Sequence, residues 1–99
     1  MAQTPEAKVK KKIRQILDAR EIYHFSPYMA GMGRSGIPDI IACFKHHFIA
    51  IEAKAGNGKT TPLQEREIAL IQKSGGHALV VNENNLETLE FLLDTIQGE

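Results

Sequence analysis

The sequence predicts an α/β fold: a mixed four-stranded sheet flanked by helices, in the order α-β-β-β-α-β-α. Two observations carry this. Amphipathic stripes of helical period stand near both ends and after Thr61. Short β-prone runs, bounded by Pro, Gly and polar residues, fill the space between them. The 99 residues, 42% of them hydrophobic, suffice for one modest core, so residues 1–99 are expected to form a single domain.

Each element follows from local chemistry. Thr4 caps the first helix, Pro5 suits its first turn, and Glu6 favours the positive end of its dipole. Glu6, Val9, Ile13, Ile16, Leu17 and Arg20 recur at helical spacing, with Lys8, Lys11, Lys12 and Gln15 opposite. Glu6 therefore lies on the stripe that faces the protein. Ile22 to Tyr28 reads as a first strand ended near Pro27, and a glycine-rich loop follows from Ala30 to Gly36. Pro38 to Phe44 and His47 to Lys54 are the second and third strands, and Ala55 to Thr60 is a turn. Thr61 caps a helix with Pro62 in its first turn; Leu63, Glu67, Leu70 and Ile71 give its period, and Gly75-Gly76 stops it. His77 to Asn82 is the fourth strand. Asn84 or Asn85 opens the last helix, with Leu86, Leu89, Phe91, Leu92, Leu93 and Ile96.

Formal charge balances to zero, which excludes a global positive field. The balance hides an asymmetry. Lys8, Lys10, Lys11, Lys12 and Arg14 crowd the start, while Glu83, Glu87, Glu90, Asp94 and Glu99 end the chain. Cys43 is the single cysteine, expected as a small buried hydrophobe; a reducing compartment is compatible. No signal peptide and no membrane-length apolar run are visible, so an intracellular, cytoplasmic protein is expected.

The second and third strands carry the chemistry. A tight turn at Lys45-His46 sets Phe44 opposite His47, and counting back pairwise sets Asp39 opposite Glu52. Opposed residues of an antiparallel pair share a face with Cβ atoms about 4.5–5.5 Å apart. Lys54 shares that face at the strand period of two, while Ile49, Ile51 and Ala53 point into a core. An odd-length turn would break the cluster. Opposed carboxylates repel, and without a cation one of them tends to hold its proton. Mg²⁺ resolves this, because it takes carboxylate, water and phosphate oxygens. Such an ion acidifies water and neutralises a scissile phosphate, and Lys54 beside it orients the water or stabilises the transition state. The bland alternative is a cross-strand acid pair relieved by a lysine on a solvated face.

Pro38-Asp39 with Glu52-Ala53-Lys54 resembles the PD-(D/E)xK nuclease superfamily, and the order of elements resembles its restriction-endonuclease-like core. More narrowly, Gly33-Arg34-Ser35-Gly36-Ile37-Pro38-Asp39, Ile51-Glu52-Ala53-Lys54 and Thr61-Pro62-Leu63-Gln64 resemble the VRR-NUC family over almost the whole chain. The Val-Arg-Arg string of the family's name is absent. The resemblance implies that Asp39 and Glu52 bind metal, with the main-chain carbonyl of Ala53 as a further ligand. It implies Lys54 as the catalytic lysine, Glu6 as an acid acting through a metal-bound water, and Gln64 as a site glutamine. It implies an Mg²⁺- or Mn²⁺-dependent DNA endonuclease. Small members resemble homodimers that cut branched DNA, including four-way (Holliday) junctions; larger members serve DNA repair.

Two other motifs fail on context. Gly31 to Gly36 matches GxGxxG, but a strand follows it rather than a helix, so no nucleotide cofactor is expected. Gly58-Lys59-Thr60 lacks the first glycine of a P-loop, since Ala53 stands there. Arg34 and Ser35 on the loop, Lys59, and the Lys8, Lys10, Lys11 and Lys12 face are candidate phosphate contacts, or ordinary solvated residues. Gln64 falls in the first turn of its helix, near donors useful to a phosphate or water. His24, His46, His47 and His77 have no metal-ligand spacing. Phe91 and the C-terminal leucines serve a core or a dimer face. Competing functions are a restriction-like or nicking nuclease on linear duplex DNA, and a non-catalytic DNA-binding module.

Overall fold

The computed structural model describes residues 3–28 and 33–99. Ala30, Gly31 and Met32 of the expected loop lie outside the described residues. The elements are α1 (Pro5–Ala19), β1 (Tyr23–Phe25), β2 (Ile40–Phe44), β3 (His47–Ala53), α2 (Pro62–Lys73), β4 (His77–Val81) and α3 (Leu86–Gln97). One mixed four-stranded sheet has the order β1-β2-β3-β4. β1, β2 and β3 pair antiparallel, and β4 joins β3 in parallel after the crossover through α2. The α-β-β-β-α-β-α order is the one read from the sequence.

The core lies where α1 and α3 meet one face of the sheet. Val9, Ile13 and Leu17 of α1 and Leu89, Leu93 and Ile96 of α3 pack against Ile40, Ala42, Ile49, Ile51, Ala53 and Val81. These strand residues alternate, as a period of two requires. The other face carries the row Tyr23, Cys43 and Phe48 across three strands, and the row Phe25, Ile41, Ala50 and Ala78. α2 packs against β4, which leaves Tyr23 and Cys43 exposed. Cys43 is thus not the buried residue expected. Its neighbour Ala42 takes the core side, which turns Cys43 to the other, here exposed, face of the sheet.

Strand ends also differ from the sequence reading. β1 is confined to Tyr23–Phe25, because Pro27 has no N–H to give a ladder. Pro38 likewise lacks an N–H, and it and Asp39 precede the ladder of β2, with the Asp39 side chain taking the Ala53 amide instead. The Lys45-His46 turn has φ of 47° and 76°, both positive, as a two-residue type I′ hairpin requires. Neither residue is the usual Asn or Gly, but the even turn length holds. No helix among the described residues is long and apolar enough to cross a membrane.

Candidate active site

The hairpin register delivers the acids. Phe44 pairs with His47 and Ile40 with Ile51, so the next position sets Asp39 beside Glu52. Asp39 Oδ2 accepts the main-chain N–H of Ala53 at 2.8 Å, which fixes the carboxylate at the end of the hairpin. Glu52 is 3% exposed. Glu6, in the first turn of α1, completes a triad: Glu6, Asp39 and Glu52 each offer a carboxylate oxygen, all within 4.8 Å of one another. No other set of three His, Cys, Asp or Glu among the described residues does so.

Gly36 sets the approach to Asp39. Its φ is +82°, and a Cβ there would stand 2.5 Å from the backbone carbonyl of Leu63. Only glycine lets this loop lie against the start of α2. α2 begins with a capping box: the Thr61 hydroxyl accepts the Gln64 N–H at 3.2 Å, and the Gln64 side-chain oxygen accepts the Thr61 N–H at 2.9 Å. The side-chain oxygen of Gln64 is therefore engaged in building the helix start, next to Gly36.

The electrostatics follow from crowding. Burial, then the hydrogen bond and charge of Asp39, push Glu52 from 4.5 up to about 9, against the pull of Lys54. Burial also pushes Asp39 up, but the hydrogen bonds from Glu52 and the Ala53 amide, with the Lys10 ammonium, outweigh it and hold Asp39 below its ordinary value. Without a cation, then, the pair shares a proton that resides on Glu52.

A hollow of about 540 Å³ opens beside the triad, lined by Thr4, Pro5, Glu6, Ala7, Lys10, Lys54, Ala55, Gly58 and Lys59. The structure thus brings Lys54 and Lys59 to one hollow with Glu6 of the triad. It does not bring Lys8, Lys11 or Lys12, which lie exposed on α1; Lys8 and Lys12 flank Glu83 instead. Glu83 accepts the Gly56 N–H at 2.9 Å and so ties down the turn after Lys54. Ser35 is exposed on the loop. Arg34 donates to the buried Glu67 at 2.8 Å, which fastens the loop to α2. His47 joins His77 at 2.9 Å and Glu99 at 2.9 Å, away from the acids, and His24 pairs with Asp18.

Lys10, read from the sequence only as part of a phosphate-tracking or solvated face, lies at the acids instead. Its ammonium lies 3.4 Å from Asp39 Oδ1 and 3.9 Å from Glu6 Oε1. The signal was present: Lys10 follows Glu6 by four residues, and so shares its helix face. The run of basic neighbours hides it, because Lys8, Lys11 and Lys12 around it do lie exposed.

No family model and no curated protein matches the sequence. Solved structures do. One described as a VRR_NUC domain protein is 21% identical, with a TM-score of 0.68 over 99% of this chain and 89% of its own. Another, described as a VRR_NUC domain, is 22% identical, with a TM-score of 0.70 over 97% of this chain and 94% of its own. The chain has the VRR_NUC fold. In this restriction-endonuclease-like architecture the hairpin and the first helix supply the acids of the triad, and the turn before α2 supplies Lys59.

Proposed function

We propose that residues 1–99 form a single nuclease domain that hydrolyses DNA phosphodiesters with a divalent cation, Mg²⁺ or Mn²⁺. The observation that carries this is the triad of Glu6, Asp39 and Glu52 within 4.8 Å, with Lys54 on the same hollow. Three hard oxygen donors suit such an ion. Asp39, Glu52 and the Ala53 carbonyl would hold it, with Glu6 acting through water. The ion supplies charge neutralisation at the scissile phosphate and acidifies a water.

The chain's own residues do the rest. The Ala53 amide fixes one oxygen of Asp39 and leaves the other for the site. The Lys54 ammonium orients the attacking water and offsets charge on the phosphate as the bond to the leaving oxygen breaks. Gln64 keeps its side-chain NH₂ as a donor to a phosphate or water. Lys59 in the hollow, Arg34 and Ser35 on the loop, and Lys8, Lys11 and Lys12 along α1 contact the DNA backbone.

The preferred substrate in this proposal is branched DNA, above all the four-way junction, cut by a homodimer. The small surface of one copy, 6412 Å², and the exposed Phe91 on α3 favour a pair. Incubation with labelled junction, flap and linear duplex, with Mg²⁺, Mn²⁺ or EDTA, tests it. Metal-dependent junction cleavage that is lost in Lys54→Ala is expected. Cutting of linear duplex alone would point to a restriction-like or nicking enzyme. Metal-independent binding that leaves every DNA whole would point to a binding module.

A further inference from the structure

Both oxygens of the Asp39 carboxylate have partners, and Glu52 hydrogen-bonds to the same carboxylate. Oδ2 accepts the Ala53 amide at 2.8 Å. Oδ1 faces the Lys10 ammonium at 3.4 Å. The same ammonium reaches Glu6 Oε1 at 3.9 Å. Lys10 therefore sits on Asp39 Oδ1, the oxygen that does not accept the Ala53 amide, and bridges to a second member of the triad. Its side chain is 32% exposed, so the stem is held against the protein while the head meets the acids.

An ammonium and a divalent cation repel at such separations. They compete for Asp39 Oδ1. The hollow gives Lys10 somewhere to go, because Lys10 lines it together with Lys54 and Lys59. Three lysines around one hollow suit a phosphate.

Resting on the nuclease proposal above, we infer that Lys10 is a resident counter-cation of the triad, displaced by the divalent ion and then free to take a DNA phosphate in the hollow. Lys10 weakens metal binding in the free protein and makes metal and DNA bind cooperatively. The coupling is reciprocal: metal strengthens DNA binding by the factor by which DNA strengthens metal binding.

The test needs no turnover. Mn²⁺ is titrated calorimetrically into wild type, Lys10→Met and Lys10→Arg. Binding of a labelled four-way junction is then measured in Ca²⁺ and in EDTA. Lys10→Met removes the competitor, so it binds Mn²⁺ roughly tenfold tighter than wild type. It also loses most of the gain in junction affinity that Ca²⁺ gives wild type. Lys10→Arg keeps a cation and stays near wild type in both measurements. Equal Mn²⁺ affinity in wild type and a folded Lys10→Met would overturn the role of Lys10 and leave the nuclease proposal standing. Absence of Mn²⁺ binding to wild type would overturn both.

Discussion

The carboxylate of Asp39 accepts the main-chain N–H of Ala53 at 2.8 Å, linking the residue before β2 to the last residue of β3. This bond does what a ladder bond would do if Pro38 and Asp39 continued the strand. It closes the open end of the hairpin and aims the other carboxylate oxygen at Glu6 and Lys10.

Asp39→Asn separates shape from charge. The Asn carbonyl still accepts the Ala53 amide, so the variant should fold, its melting temperature lowered only by the lost Lys10 ion pair. The negative charge is gone, so DNA cleavage should fall by roughly 10²–10³-fold. A variant that melts normally and cleaves normally would remove Asp39 from the chemistry.

The metal-free protein should lose stability as pH rises. Glu52 has a folded pKa of about 9, above its ordinary 4.5. The stabilisation from its bound proton is fully present below about 4.5 and is lost as pH climbs through about 9. Asp39 runs the opposite way. Its lowered pKa gives stability above its ordinary 3.8 that is lost in acid. Thermal melts in EDTA between pH 6 and 9 should slope downward, each kcal/mol lost lowering Tm by roughly 4–8 °C. Glu52→Gln should flatten that slope; an unchanged slope would mean that another group titrates.

Mn²⁺ should raise the melting temperature, because an ion bound by Asp39 and Glu52, and reached by Glu6 through water, would tie α1 to the hairpin in the folded state only. Glu6→Gln should shrink the gain while leaving the metal-free melt nearly unchanged. A shift of the same size in both proteins would exclude Glu6 from the ion's surroundings.

Gly36→Ala should destabilise by on the order of 2–4 kcal/mol, through a strained φ and a clash with the Leu63 backbone. Denaturant unfolding measures it. A cost below about 1 kcal/mol would show that the loop shifts without strain.

Gln64→Glu tests two roles at once. Glutamate serves a capping box as well as glutamine does, so stability should hold. The side-chain NH₂ is lost, so cleavage should drop by roughly tenfold if that group meets a phosphate or water. Thr61→Ala, by contrast, should cost about 1 kcal/mol through the cap.

Much of the fold is legible in the sequence because short-range chemistry writes it. Thr4 and Thr61 cap where expected, and the turn length alone sets Asp39 against Glu52. What escapes depends on contacts between distant segments. Lys10 meets Asp39 only because α1 docks on the hairpin. Arg34 is drawn to Glu67 by the buried acid, which helical spacing placed on an inward stripe without naming its partner. The exposure of Cys43 follows from where α2 lands, and strand alternation cannot tell which face a helix leaves uncovered.

That thiol is also useful. The only sulfhydryl in the chain stands at the surface, four positions along β2 from Asp39, or about 13 Å at strand spacing. A fluorophore coupled there would leave the acids untouched while remaining near enough to sense nucleic acid settling over them. On the nuclease proposal, the arrival of DNA could then be followed by fluorescence, independently of any cleavage.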